Sequence, residues 1–279
     1  MFGKMVSDLM VKPGQAPVFD SPANYGLPYE DVTFTTEDGV RLSGWLVGNS
    51  TDRVIVQSHF GVQCSRCGFT QQGKGLMKNA LWTSDIKFLE HAKPIVDAGY
   101  SLLMYDMRNH GESEQKGYVS WEQLERKDLL AAVQFVTSHP RLSRANIGLL
   151  SICMGQGATT FAYGLEPALR EIEAVKALIS VQPLTYDEFV KAMGLPGFLV
   201  NVGNKYNAKH RDLDLTGASF MPHVEAISVP TMVIQNRNDP MTNLGLVEKY
   251  FDSLKVEKEL VWLEIEKKRG ATYAWMADH

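Results

Sequence analysis

The segment NIGLLSICMGQGATTFAYGL, residues 146–165, joins an apolar run to a helical pattern through a row of small residues. NIGLL is typical of a buried strand, and ATTFAYGL of an opening helix. A sharp strand-to-helix turn strains its central residue, and the residues two positions before and after it must be small because the chain folds back there. If Cys153 is the centre of the turn, these positions hold the small residues Ser151 and Gly155. If Ser151 is the centre, one of them holds Leu149, whose side chain would clash. The pattern therefore predicts a nucleophile turn centred on Cys153.

A thiol at this turn would lie at a helix N-terminus, where free N–H groups and the helix dipole favour the attacking thiolate. The backbone N–H of Met154, the next residue, would point at the oxyanion of a tetrahedral intermediate. The alternative is that Cys153 is a small buried residue at a tight turn, since free cysteine is among the most buried residue types. The small flanks and the preceding strand favour the nucleophile.

Strands and helices alternate on both sides of the turn. VTFTTEDGVRLSGWLVG, residues 32–48, contains two β-rich runs around Asp38-Gly39, a pair typical of a tight hairpin. Two apolar runs with polar tails, RVIVQSHF and SLLMYDMRNHGES, are typical of buried strands. A helical pattern follows in SWEQLERKDLLAAVQFVTSHP, with Ser120 as N-cap and Gln123 at the capping-box position. The alternation predicts an α/β fold: a mostly parallel sheet with helices on both faces, preceded by an antiparallel hairpin.

A chain of 279 residues is expected to form a single domain, residues 1–279. Residues 184–229 break the alternation, and their Gly, Pro and Asn content suits a small cap or lid inserted over the strand ends. The formal charge of −4 predicts no nucleic-acid partner. No stretch approaches the roughly 20 apolar residues of a membrane span, and the first residues lack the apolar core of a secretory signal. We therefore expect no membrane association and a cytoplasmic location.

The three cysteines, Cys64, Cys67 and Cys153, are too few and too irregular for a disulfide framework. Cys64 and Cys67 form a CxxC pair, but no second half-site completes a zinc centre, so ordinary loop cysteines are favoured and no metal is expected. GxxxxGK and GxGxxG are both absent from the sequence, which therefore indicates no nucleotide cofactor.

Four segments together resemble the α/β-hydrolase superfamily over about Val32 to Glu266. Their order and spacing match four features of that superfamily. The entry hairpin corresponds to TTEDGVRLSGWL, the fourth-strand loop to YDMRNHGES, the nucleophile elbow to SICMGQG and the acid loop to QNRNDP. The cysteine elbow is similar to that of dienelactone hydrolases, whereas DMRNHGES is more similar to the wider hydrolase and acyltransferase branches. The resemblance implies the α/β-hydrolase fold and leaves the substrate open.

The resemblance also implies an acid after the nucleophile and a histidine after the acid. Asp239, in VIQNRNDP, has the position of the acid, with Asp187 as the alternative. The histidine should follow KELVWLEIE, but the next residues read KKRGATYAWMADH, whose single histidine is the final residue, His279. His279 is either the base or a helix residue, in which case the base lies elsewhere.

His59 is the second candidate base, because its strand is expected beside the strand that carries Cys153. A structural loop role is favoured over a base role for this residue. In the family this histidine precedes a glycine that shapes the oxyanion loop; here Phe60 replaces the glycine and Gly61 follows. The second oxyanion donor is therefore assigned to Phe60 or Gly61.

The resulting hypothesis is a hydrolase that acts on a small-molecule acyl compound, an ester, lactone or thioester, through an acyl-cysteine intermediate. The alternatives are an acyltransferase with the same nucleophile and a noncatalytic binding protein that keeps the fold. The oligomeric state stays open, with a homodimer as one alternative.

Overall fold

A mixed eight-stranded sheet forms the centre of the computed structural model, which describes residues 2–12, 14–61, 63–72, 84–215 and 218–278. The strands are β1 (Tyr29–Thr35), β2 (Arg41–Val47), β3 (Arg53–Ser58), β4 (Gly68–Phe69), β5 (Ile86–Lys87), β6 (Ser101–Tyr105), β7 (Asn146–Ile152), β8 (Val175–Val181), β9 (Thr231–Asn236) and β10 (Lys258–Leu263). The order across the large sheet is β1-β2-β6-β3-β7-β8-β9-β10, and β4 pairs with β5 separately.

The predicted hairpin and parallel sheet are both confirmed. β1 and β2 are antiparallel, with Thr35 opposite Arg41, and Gly39 in the connecting turn has a φ of 78°. β2 is also antiparallel to β6, whereas every later pair of neighbours from β6 to β10 is parallel. Because parallel strands end at one edge of a sheet, the loops after β6, β3, β7, β8, β9 and β10 meet there.

Helices cover both faces of the sheet. They are α1 (Phe2–Val11), α2 (Phe88–Asp97), α3 (Glu125–Ser138), α4 (Met154–Leu165), α5 (Pro167–Arg170), α6 (Tyr186–Ala192), α7 (Gly197–His210), α8 (Leu244–Ser253) and α9 (Ala271–Asp278), with 3₁₀ turns at Pro22–Tyr25 and Met221–Ala226. No helix of the described residues is long and apolar enough to cross a membrane.

Two apolar cores hold the helices on the sheet. On one face α3, α4 and α8 bury side chains such as Leu129, Phe161 and Tyr250. On the other, α2 and α9 bury Phe88 and Tyr273. Each large apolar side chain buried in this way contributes roughly 1.5–3 kcal/mol relative to exposure. The site loops are therefore anchored on a core that is packed from both sides.

The start of α3 differs from the prediction. The helix begins at Glu125, and Ser120 lies one turn earlier, where its Oγ accepts a hydrogen bond from Leu124 N at 2.7 Å. Glu125 bonds back to Ser120 N at 3.0 Å, which is the contact that the capping-box pattern assigns to Gln123. The residues between Ser120 and Glu125 are consequently a tight turn.

Residues 184–229 contain α6, α7 and the second 3₁₀ turn. Gly203 of α7 lies against Val6 and Met10 of α1, and these two residues of α1 share a small apolar cluster with Tyr186 and Val190 of α6. The role of this segment as a cap over the site stays a prediction.

Candidate active site

Cys153 is the strained residue of a strand-to-helix turn between β7 and α4. Its φ of 51° and ψ of −108° lie in a region that side chains other than glycine rarely adopt. A Cβ at Gly155 would overlap the backbone carbonyl of Ser58, so the small residue predicted at this position is required by a close approach of β3. Ser151 is buried, with its Oγ 2.7 Å from Thr159 Oγ1. The half-buried Cys153, and not Ser151, is the residue that the turn presents.

A small pocket of about 20 Å³ opens beside this turn, at the edge of the sheet where the parallel strands end. Its walls come from loops after β3, β6, β7, β8, β9 and β10, and most of its lining is apolar. The lining residues are Phe60, Gly61, Trp121, Glu122, Cys153, Met154, Leu184, Phe189, Met241 and Arg269. Two of them, Leu184 and Phe189, come from the segment predicted as a cap.

Arg269 occupies the place where the resemblance implied a histidine. Its Nη2 donates to Cys153 Sγ at 3.1 Å, and its Nη1 donates to Asp239 Oδ2 at 2.6 Å. Burial alone would lower the pKa of Arg269, but the charges of Cys153 and Asp239 outweigh burial and raise the pKa above its ordinary value. The result is a row of the half-buried Cys153 and the buried Arg269 and Asp239, with a permanent cation at its centre.

Asp239 is fixed by several donors besides Arg269. Its Oδ2 accepts from Gln182 Nε2 and from Thr242 Oγ1, each at 3.0 Å, and its Oδ1 accepts from Met241 N at 2.9 Å. Gln182 follows β8 with a φ of 53° and also donates to Thr272 Oγ1 of α9 at 2.9 Å. The structure therefore places Asp239 behind the nucleophile, whereas Asp187 lies in the first turn of α6.

The predicted histidines are not brought to Cys153 in the described part of the chain. His59 is buried, with its Nδ1 2.6 Å from Phe60 O, and its Nε2 accepts a hydrogen bond from Met107 N at 3.0 Å. Burial, together with the neighbouring His110, lowers the pKa of His59 to about 3. These contacts favour the loop role of His59 over the base role. His279 lies outside the described residues, so its role as the base stays a prediction.

The predicted oxyanion residues do meet at the nucleophile. Met154, Phe60 and Gly61 line the same pocket as Cys153. A Cβ at Gly61 would lie 2.5 Å from Met154 Sδ, so the loop after β3 approaches the start of α4 closely. Phe60, which replaces the family's glycine, is buried and stacks on Tyr273 with ring centroids 5.2 Å apart.

Sequence reasoning missed two charged residues of the pocket. Arg269 could have been suspected, because it stands in the loop where a histidine was expected. The sequence contains no pattern that indicates Glu122 as a pocket residue, because its position depends on the tight turn before α3. Cys64 and Cys67 are buried free thiols away from the pocket lining.

The strand order, the antiparallel hairpin and the strained turn define the α/β-hydrolase fold, and comparison with solved structures agrees. The esterase Pf2001 of Pyrococcus furiosus matches with a TM-score of 0.69 and 22% identity, over 96% of this chain and 95% of that one. The α/β-hydrolase GrgF of a Penicillium species matches with a TM-score of 0.59 and 20% identity, over 86% and 90%.

In sequence, the chain is 26% identical over 242 residues to a protein named polyketide transferase grgF from Penicillium, covering 82% of this chain and 72% of that protein. No family model matches the chain. These likenesses establish the fold.

Proposed function

We propose that the protein is an acyl-transfer enzyme that hydrolyses an ester, lactone or thioester through an acyl-Cys153 intermediate. The observation that carries the proposal is the 3.1 Å hydrogen bond from Arg269 Nη2 to the sulfur of a cysteine held at a strained nucleophile turn. A guanidinium at this distance stabilises the thiolate, which is the nucleophilic form of cysteine. Asp239 holds the guanidinium on its other side.

The chemistry follows from this arrangement. The Cys153 thiolate attacks the acyl carbonyl, and the carbonyl oxygen becomes an oxyanion that the N–H of Met154 and a donor at Phe60 or Gly61 would hold. Arg269 remains charged at neutral pH, so it supports the nucleophile by charge and does not take up its proton. A thiol is far more acidic than a serine hydroxyl, so a serine in the same place would need a base.

Transfer of the acyl group to a second nucleophile is the alternative function, and the name of the Penicillium protein, a polyketide transferase, favours it. The two functions share the covalent step and differ in the molecule that releases the acyl group. Turnover that rises with added amine, alcohol or thiol acceptor at constant substrate would identify a transferase.

The test is to incubate the protein with activated esters and thioesters and to look by intact mass for an acyl adduct that maps to Cys153. Wild type is expected to form one adduct, and Cys153→Ala none. Cys153→Ser is the matched control, because its hydroxyl gains little from Arg269 and should be acylated far more slowly. Equal adduct formation in Cys153→Ala would show that the proposal is wrong.

Two further variants separate the candidate partners of Cys153. Loss of acylation in Arg269→Met but not in His279→Ala would support Arg269 as the group that stabilises the thiolate. Loss in His279→Ala alone would assign the base to His279. An intact protein with no acylation under any of these conditions would support the noncatalytic alternative.

A further inference from the structure

Glu122 lies in a turn that directs its side chain at the nucleophile pocket. Trp121 and Glu122 both have left-handed backbone conformations, with φ of 51° and 83°. The buried carboxylate of Glu125 fixes this turn, because it accepts hydrogen bonds from Ser120 N at 3.0 Å and from Glu122 N at 2.8 Å. Two consecutive strained residues are costly, at about 1–3 kcal/mol each. The turn therefore has a conformation that its surroundings impose.

The carboxyl of Glu122 is buried against Gly157 of α4, in the wall of the pocket that Cys153 also lines, and has an oxygen that is unpartnered within the described part of the chain. The residue is 1% exposed, and its Oε2 has no hydrogen-bond partner among the described residues. It lines the pocket together with Cys153 and Arg269. A Cβ at Gly157 would overlap this carboxyl, so the glycine in the first turn of α4 leaves room for it. An unpartnered carboxyl oxygen in an apolar pocket is rare, because its burial is unfavourable unless it is used.

Burial raises the pKa of Glu122 well above its ordinary value, and the nearby charges of Cys153 and Glu125 act in the same direction. The titratable groups around it are Cys153 at the start of α4, Glu125 on α3 and Arg269 before α9. The cation of Arg269 is engaged by Cys153 and Asp239. Burial and these charges therefore favour the protonated form of the Glu122 carboxyl.

We propose that Glu122 is the proton carrier of the reaction, a catalytic acid and base that does the work a histidine does in other enzymes of this fold. The inference rests on the proposed function. When the tetrahedral intermediate collapses, the bond to the leaving oxygen or sulfur breaks, and that atom takes the proton of Glu122. The resulting carboxylate then takes a proton from water, the hydroxide equivalent attacks the acyl-Cys153 carbonyl, and collapse releases the acid and the thiolate. The sum is an acyl compound and water giving an acid and a protonated leaving group.

The experiment compares leaving groups in Glu122→Gln, which keeps the shape of the side chain and removes the transferable proton. A p-nitrophenyl ester needs no acid to expel its leaving group, whereas an alkyl ester does. General acid catalysis contributes about 10²- to 10⁴-fold. We therefore expect the variant to acylate Cys153 within a few-fold of the wild-type rate with the aryl ester, and about 10²- to 10⁴-fold more slowly with the alkyl ester. The acyl-Cys153 adduct should then persist, giving a single burst of nitrophenol.

Glu122→Asp keeps a carboxyl and serves as the conservative variant, with clearance of the adduct at least partly restored. Circular dichroism and thermal melts check that both variants are folded. Equal losses with aryl and alkyl esters, or wild-type clearance of the adduct in Glu122→Gln, would overturn the inference while leaving the proposed function intact. A wild-type protein that never forms the Cys153 adduct would instead overturn the proposed function, and this inference with it.

Discussion

Replacing Arg269 with methionine should slow alkylation of Cys153 at neutral pH. Methionine keeps much of the length and apolar volume of a side chain that is 5% exposed, and it removes the donor to Sγ. Asp239 keeps its hydrogen bonds from Gln182, Thr242 and Met241 N, so the loop after β9 retains its other contacts. The change therefore tests the charge of residue 269, and it should also lower the stability by about 3–5 kcal/mol because the buried Asp239 loses its cation.

The magnitude follows from the single charge-assisted hydrogen bond at 3.1 Å. Such a bond contributes about 1.5–3 kcal/mol, which corresponds to about a 10- to 150-fold change in an equilibrium constant. Thiolates that are less stabilised are also more nucleophilic, with a Brønsted exponent of about 0.4–0.5, which offsets part of the loss. The alkylation rate is expected to fall by about 3- to 20-fold.

The assay measures iodoacetamide labelling of the folded protein at fixed pH, with the labelled peptide identified by mass. Arg269→Lys is the matched control, since it keeps a cation and should lose less than Arg269→Met. Cys64 and Cys67 are internal controls: both are fully buried, burial raises the pKa of both thiols, and neither should react before the protein unfolds. Labelling of Arg269→Met at or above the wild-type rate would refute the reasoning.

Three other predictions concern stability and specificity. Burial lowers the pKa of His91 to about 4, so only the unfolded chain takes up a proton at this residue between about pH 6.5 and 4. As the pH is lowered through that window, the unfolding free energy should decrease by up to about 1.4 kcal/mol per pH unit. His91→Gln should flatten this slope in denaturant titrations. Gly155→Ala places a methyl on a backbone carbonyl of β3 and should lose about 1–3 kcal/mol in thermal or denaturant melts, whereas Gly148→Ala, with ordinary contacts only, should be close to neutral; similar losses in both would contradict the close-approach argument. Trp121 and Phe189, with ring centroids 4.7 Å apart, line both the nucleophile pocket and an apolar groove of about 230 Å³. Phe189→Ala should therefore raise kcat/KM for octanoyl relative to acetyl esters, and an unchanged ratio would count against a substrate route into that groove.

The fold was predictable because its signals are local. Asp38-Gly39 needs only turn chemistry to indicate the hairpin, and the small residues around Cys153 indicate the turn because the close approach of β3 leaves no alternative to glycine at Gly155. The location of Asp239 in the loop after β9 was predictable from the apolar strand pattern that precedes it. In each case a short stretch of sequence contains the whole constraint.

Arg269 and Glu122 required the three-dimensional structure. Arg269 reaches the sulfur through a long side chain, and whether it turns inward depends on Asp239 and on the loop after β10. Glu122 depends on two left-handed residues, and the sequence pattern assigned the cap of that turn to Gln123 although Glu125 makes the contact. Neither arrangement has a characteristic spacing, since both are stabilised by residues far apart in the chain.

The position of Arg269 immediately before α9 links the active site to local unfolding of the last described helix. α9 is held by Tyr273, which stacks on Phe60 and meets Phe88 edge-on, and by the bond from Gln182 to Thr272. A short helix that buries few side chains opens more readily than the core of a domain, and the buried residues of α9 are Thr272 and Tyr273. Opening of α9 would remove Tyr273 from Phe60 and would loosen the adjoining Arg269 from Cys153. If the proposed function is right, heat inactivation is therefore expected to begin below the temperature at which the whole protein melts.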